Sequence, residues 1–324
     1  MLVFTEQGWV GGELLRELRT IAGIGLRRMA GKTCFTPGYL SQVETGQRPV
    51  TPAVLDAYRS VLSDPVLGLD SLDLERLGAT VGNPSSAGRA GLEDLSAILD
   101  RTRHLEDVVG AASVVHLVRG LDTTARTLAR HRAGGTASAS LASEVARYRG
   151  WLEHATRQAH LADRVLSDAA KLAEDGDDPS QLAHAHSFRA YTARHNGDLQ
   201  RAVDLTESAI AVSRAHPILG VYDRYQRAEL LALQGDRRRA ARALHHADAA
   251  AAAAEGIDLP AFGYWYTPGF WGFERGVVLT AMDRSPDAIR EAEAGYAALP
   301  DDHKGTDWAL SMLTQVDPEM VGGT

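Results

Sequence analysis

Apolar residues recur at three- and four-residue intervals along most of this chain, and two-residue alternation is missing. The first spacing lines one face of a helix, whereas strands need alternation. β-Branched pairs such as Val108-Val109 and Val114-Val115 fall inside the helical spacing. The pattern predicts an all-α protein. Near the amino end the predicted helices are short. Leu14, Leu15, Leu18, Ile21 and Ala22 share a face, and Gly23 can end that helix. Gly25 opens a second over 26–33, with Met29 and Ala30 inward, and Cys34-Phe35 is the turn that follows. In the third, Thr36 suits the N-cap and Pro37 the first turn, while Leu40 and Val43 form an apolar back. Gly46 stops that helix and Pro49 prevents its resumption. Thr51-Pro52 starts a fourth, with Val54, Leu55, Tyr58 and Leu62 inward.

Gly38, Ser41, Gln42 and Thr45 point away from the apolar back of the third helix. A short helix with a small, amide-bearing front fits the DNA major groove. Residues 14–62 resemble the Cro/CI-type (XRE-type) helix-turn-helix domain, without gaps from Leu18 to Gly46. The run Pro-Gly-Tyr-Leu-Ser-Gln-Val-Glu-Thr-Gly-Gln-Arg-Pro is similar to actinobacterial members in particular. The resemblance implies double-stranded DNA as a partner, with base contacts at Pro37, Gly38 and Gln42. An amide such as Gln42 can pair bidentately with adenine. Thr36, Tyr39 and Ser41 on the same helix, with Arg27, Arg28, Lys32, Gln47 and Arg48 around it, complete the DNA-facing set, chiefly toward phosphate. A structural ion pair of the family falls on Arg19 and Glu44. Two departures stand out. Gly25-Leu26 replaces the usual Ser/Thr/Asn-Gln at the start of the second helix, and Cys34 fills a turn position often held by Gly. A positive φ at Cys34 would be strained. Both point to weaker sequence choice, or to more reliance on DNA shape.

Residues 63–90, with Asp64-Pro65, Gly68, Gly78, Gly82-Asn83-Pro84-Ser85-Ser86 and Gly88, predict a linker with one short helical turn over 70–77. From Gly91 onward the helical pattern is nearly continuous. It also repeats. Ala190-x6-Gly197-x4-Ala202 returns as Ala228-x6-Gly235-x4-Ala240, and a weaker copy is Gly276-x6-Asp283-x4-Ala288. A small residue lets two helices approach, the Gly turns the chain, and the Ala packs at the crossing. Such hairpins must stack on neighbours to bury their faces. The spacing resembles the tetratricopeptide repeat. Trp151–Ala173 is read as a preceding hairpin without a turn Gly. Arg149-Gly150-Trp151-Leu152, the stretch 264–276 and Ala297-Ala298-Leu299-Pro300 are similar to actinobacterial XRE regulators with tetratricopeptide-like C-terminal halves. The expected organisation is a helix-turn-helix domain at 1–62, a linker at 63–90 and a helical solenoid at 91–324.

Composition sharpens this picture. The chain has 324 residues, 44% of them hydrophobic and only 6% aromatic. Its net charge of −8 is unevenly divided: residues 1–62 hold seven Lys/Arg against five Asp/Glu, and the remainder 27 against 37. Only the amino-terminal segment is thus suited to approach phosphate. No apolar run is long enough to span a membrane, and the first residues lack a signal-peptide pattern. The single cysteine, Cys34, rules out an internal disulfide, fits a reducing cytoplasm and is read as a buried packing residue. Among 12 histidines, His184-x-His186 and His245-His246 lack metal-ligand spacing and are read as helix-surface residues. No metal, cofactor or catalytic motif is expected.

The aromatic cluster Tyr264-Trp265-Tyr266, Phe270-Trp271 and Phe273 suits either a ligand groove or, more simply, the solenoid core. Tyr191, Arg194, Tyr225, Tyr264, Trp265 and Trp271 are the groove candidates, with Asn196 and Arg227 beside them. The reading that follows is a cytoplasmic DNA-binding transcription regulator, not an enzyme. Its repeats would hold a homodimer together, bind a peptide, protein or small-molecule effector, or do both. The rival is a protein-interaction scaffold with a vestigial helix-turn-helix.

Overall fold

The computed structural model describes residues 12–21, 24–62, 71–132, 134–301 and 303–320. Ala22, Gly23, Asp64, Pro65, Gly68 and Asp70 lie outside these, as do the side chains of Leu14, Leu18, Ile21 and Leu62. Every regular element among the described residues is helical. None of these helices is long and apolar enough to cross a membrane. The chain forms two compact units, Met1–Ala79 and Thr80–Thr324.

The first unit contains α1 (Gly12–Ile21), α2 (Leu26–Gly31), α3 (Pro37–Glu44) and α4 (Pro52–Leu62). Its core gathers Leu15, Met29, Leu40, Val43, Val54 and Tyr58, all buried. The caps follow from local chemistry. The Thr36 hydroxyl accepts from the Tyr39 N–H at 3.2 Å, satisfying a donor that α3 leaves free. Gly46, at φ 72°, turns the chain out of α3. Gly12 lies against the end of α3, where a Cβ would fall 1.7 Å from the Val43 carbonyl oxygen. Gly25 caps α2 without a side-chain hydrogen bond, and Leu26 packs partly buried against the core.

Two expectations need correction. Cys34 is exposed rather than packed, and it is not among the residues with positive φ. The segment read as a linker contains α5 (Ser71–Gly82), a full helix rather than one turn. Gly78 is carried inside it, at roughly 1 kcal/mol relative to Ala, because good helix formers surround it.

The second unit continues with α6 (Arg89–Val109), α7 (Ala111–Arg130), α8 (Thr136–Ala155), α9 (Ala159–Asp175), α10 (Pro179–His195), α11 (Leu199–Ala211), α12 (Pro217–Leu233), α13 (Arg237–Ala253), α14 (Pro268–Ala281), α15 (Ser285–Ala298) and α16 (Asp307–Val316). The repeated sequence motif coincides with the hairpins α10–α11, α12–α13 and α14–α15. Gly197, Gly235 and Asp283 turn them at φ 81°, 83° and 59°. The Asp after each Gly caps the next helix: the Asp198 and Asp236 carboxylates accept from the Arg201 and Arg239 N–H groups at 3.2 and 3.0 Å. The Asp236 cap also places negative charge beside Arg237-Arg238-Arg239 at the start of α13, where three cations alone would oppose the helix dipole.

The α8–α9 hairpin is a fourth copy, Gly150-x6-Arg157-x4-Ala162, with Arg157 at φ 63° in the place of the turn Gly. Ala162, Ala202, Ala240 and Ala288 at the equivalent crossings are all fully buried. Two buried carboxylates between layers are each held by two arginines. Glu153 accepts from Arg119 and Arg149, and Asp122 from Arg126 and Arg149.

Candidate nucleic-acid interface and ligand cavity

In the first unit, Gln42 is exposed on α3, between exposed Gly38 and Thr45. The backbone N–H of Arg48 donates to the Gln42 carbonyl at 2.9 Å, folding the segment after Gly46 back along the helix. The same turn brings the two side chains together: Arg48 Nε donates to Gln42 Oε1 at 2.7 Å. The Arg48 guanidinium also lies 5.1 Å from the centre of the Tyr39 ring, and that ring stacks on Phe35 at 5.2 Å. Behind this face, Arg19 grips Glu44 with two bonds of 2.7 and 2.8 Å, and the Tyr58 hydroxyl donates to the same carboxylate at 2.5 Å. Burial pushes the Glu44 carboxyl up, but the Arg19 and Tyr58 bonds outweigh it and hold the group below its ordinary range. Arg19 also donates to the Ile24 carbonyl at 2.7 Å, tying the end of α1 to the chain that enters α2.

The second unit encloses a cavity with about 1060 Å³ of empty space, open solvent at its mouth included. Its helical walls come from α6, α8, α10, α12, α14 and α16, the alternate helices of the stack. Side chains three or four residues apart reach it together, as helical geometry requires: Arg147 and Trp151, Phe188 and Tyr191, Gln226 and Glu229, Phe270 and Glu274. The loop before α14 adds Tyr264, Trp265 and Tyr266. Rings dominate the wall. Trp151 meets Tyr191 edge-on at 5.9 Å, and Tyr264 meets Trp265 at 5.1 Å.

Most of the charges in this wall have partners. Glu106 accepts from the Tyr148 hydroxyl at 2.7 Å and Trp151 Nε1 at 2.9 Å, and burial pushes its carboxyl up to about 7. Asp107 accepts from the Tyr264 hydroxyl at 2.5 Å. Arg103 donates to Glu144 at 2.6 Å, and Arg194 is paired with Glu229, which Gln315 also reaches at 3.2 Å. Two groups differ. Arg147 is fully buried, faces no carboxylate at bonding distance and stacks over Phe188 and Phe262; burial and nearby Arg103 push it down to about 9. Glu274 is buried without a hydrogen-bond partner among the described residues. Burial, aided by the charge of Glu229, pushes its carboxyl up to about 8.

Comparison with known proteins bears on the first unit. Residues 12–62 match the family described as a helix-turn-helix domain. These residues form a helix-turn-helix domain. No curated protein matches the chain significantly. A crystal structure of Bacillus thuringiensis PlcR in complex with the peptide PapR7 and DNA is similar at 13% identity, over 97% of this chain and 99% of that one, with a TM-score of 0.45. That degree of likeness carries over no property.

On the helix-turn-helix domain, Arg27, Arg28, Lys32, Thr36, Pro37, Gly38, Gln42, Gln47 and Arg48 are exposed, and Tyr39 and Ser41 are half-buried. In the second unit, Tyr191, Arg194, Tyr264 and Trp265 line the cavity. Tyr225 and Trp271 do not. They stack on each other at 6.0 Å, almost fully buried, because their helix positions face the next layer. Asn196 is an exposed cap of α10, and Arg227 pairs with Glu207. His184, expected on a surface, is fully buried against Phe188 and the Tyr266 hydroxyl, and burial pushes its pKa well down.

Sequence reasoning missed Arg147, Trp151, Gln226 and Glu274. The repeat itself held the signal. The residue two before the motif's small residue lines the cavity in all four copies (Tyr148, Phe188, Gln226, Glu274), and so does the residue one after it (Trp151, Tyr191, Glu229, Val277).

Proposed function

We propose that this chain is a sequence-specific DNA-binding transcription regulator of the XRE type, with the cavity of its repeat unit as the effector site. The observation that carries the reading is Gln42, exposed on a short capped helix and held by Arg48, in a domain where Arg27, Arg28 and Lys32 are also exposed. Gln42 offers a planar amide suited to the adenine edge, and the cations suit phosphate. In a homodimer, two such helices would meet successive major grooves about 34 Å apart and favour a palindromic site. The effector would act by binding one conformational state more tightly than another.

Gel-shift titration of the full chain against genomic fragments, over a salt series, tests this. The expected result is retention of a subset of fragments that weakens as salt rises. Gln42→Ala should relax choice at one base position, costing about 1–3 kcal/mol there. Arg28→Ala should weaken all sites alike and lower the salt slope by about one. Absence of retention at low salt would sink the proposal in favour of a protein-interaction scaffold.

A further inference from the structure

The cavity identifies the chemical class of its own ligand, and this step rests on reading it as the effector site. Glu274 lines the cavity, is 8% exposed and receives no hydrogen bond from the described residues. Its oxygens are not sealed, so a ligand that displaces water from the cavity must replace the contacts it takes away. The other cavity carboxylates are already committed: Glu106 to Tyr148 and Trp151, Asp107 to Tyr264, and Glu229 to Arg194. Tyr222 also lines the cavity and has no hydrogen-bond partner among the described residues. The surrounding rings present the π faces that attract cations.

We propose that the cavity takes a small apolar or aromatic amine, with its protonated nitrogen on the Glu274 carboxylate and its body against the aromatic wall. An anionic ligand fits less well. Arg103 and Arg194 each hold a carboxylate of the chain, and the unpaired terminal nitrogen of Arg147 is sealed from solvent. A neutral ligand of the same shape would fill the cavity but leave Glu274 with only the field of nearby Arg194, which already pairs with Glu229. Burial holds the Glu274 carboxyl in its neutral form, and an ammonium beside it would restore the ion.

Three probes of one shape test this: 4-phenylbutylamine, 4-phenylbutan-1-ol and 4-phenylbutyrate. Each is titrated calorimetrically into the full chain at neutral pH. The amine is expected to bind at least about tenfold more tightly than the alcohol, and the carboxylate most weakly. Glu274→Gln should bring the amine down to the level of the alcohol, leaving alcohol binding unchanged. Glu274→Asp, which keeps the charge on a shorter arm, should retain the amine preference. Equal or tighter binding of the alcohol or carboxylate to the unaltered chain overturns the proposal. So does failure of all three probes to bind, or an amine preference that survives Glu274→Gln. If Glu274→Gln fails to fold, the ranking on the unaltered chain decides. Specific DNA retention is read separately, so loss of the amine site and loss of DNA reading are told apart.

Discussion

Single residues carry the chemistry of the second unit, and Glu274 makes that testable through stability. Its carboxyl has an ordinary value of 4.5 and is pushed up to about 8 in the fold, chiefly by burial. The folded chain therefore holds the proton more tightly than the unfolded one. The resulting stabilisation is complete below about pH 4.5 and is lost as pH rises toward about 8. Glu274→Gln, neutral at every pH, escapes that loss. Urea unfolding should find the variant close to the unaltered chain at pH 4.5 and more stable at pH 8.5, by on the order of 2–4 kcal/mol. Glu106 and Asp223, both pushed up to about 7, act in the same direction but cancel in the comparison. Residue type alone was a poor guide here. Tyr225 and Trp271 have the same chemistry as Tyr191 and Trp265, yet their helix positions turn them into the next layer rather than the cavity. Cys34 was misjudged for a related reason: cysteine is commonly buried, but this one sits in an exposed turn.

At the scale of elements, α14 and α15 approach more closely than side chains normally allow. A Cβ on Gly295 would stand 2.8 Å from the Gly269 carbonyl oxygen and 3.0 Å from the Phe273 nitrogen, both backbone atoms. Gly272 and Gly276 face the same seam from α14. Gly295→Ala must therefore push the helices apart and should cost roughly 1–3 kcal/mol in thermal unfolding. Gly305→Ala, where a Cβ meets nothing within 4 Å, serves as the control. The hairpins themselves were legible wherever Gly-Asp marks the turn, because a left-handed residue and a cap leave a composition signal. The α8–α9 turn escaped notice because Arg157 does the same backbone work without that signal. α5 was underestimated because Gly78 reads as a break in isolation, although its neighbours favour helix.

For the whole molecule, the division of charge matches the division of labour proposed. The first 62 residues are mildly basic and the rest strongly acidic, so net charge favours the approach of phosphate only at that module. Two compact units with separate cores should also respond separately to substitution. Gln42→Ala is expected to leave 4-phenylbutylamine binding within about twofold, and Glu274→Gln to leave ligand-free DNA retention within about twofold. Calorimetry and gel shift on the same two variants check both. The helical class and the repeat were visible in spacing because periodicity is a local property. The cavity was not, since it arises only when alternate helices are brought round one interior, and Arg147 and Glu274 lie 127 positions apart in the chain.

If this face reads DNA as proposed, the bond from Arg48 to Gln42 would separate two jobs that cations on such a surface usually perform alike. A guanidinium that touches only the sugar-phosphate rail tunes grip and leaves discrimination alone. On the proposed reading, Arg48 instead sets the pose of the Gln42 amide, which would meet a duplex already oriented, with little rotational freedom left to surrender. Tuning at position 48 would thus alter which operators are chosen as well as how firmly they are held.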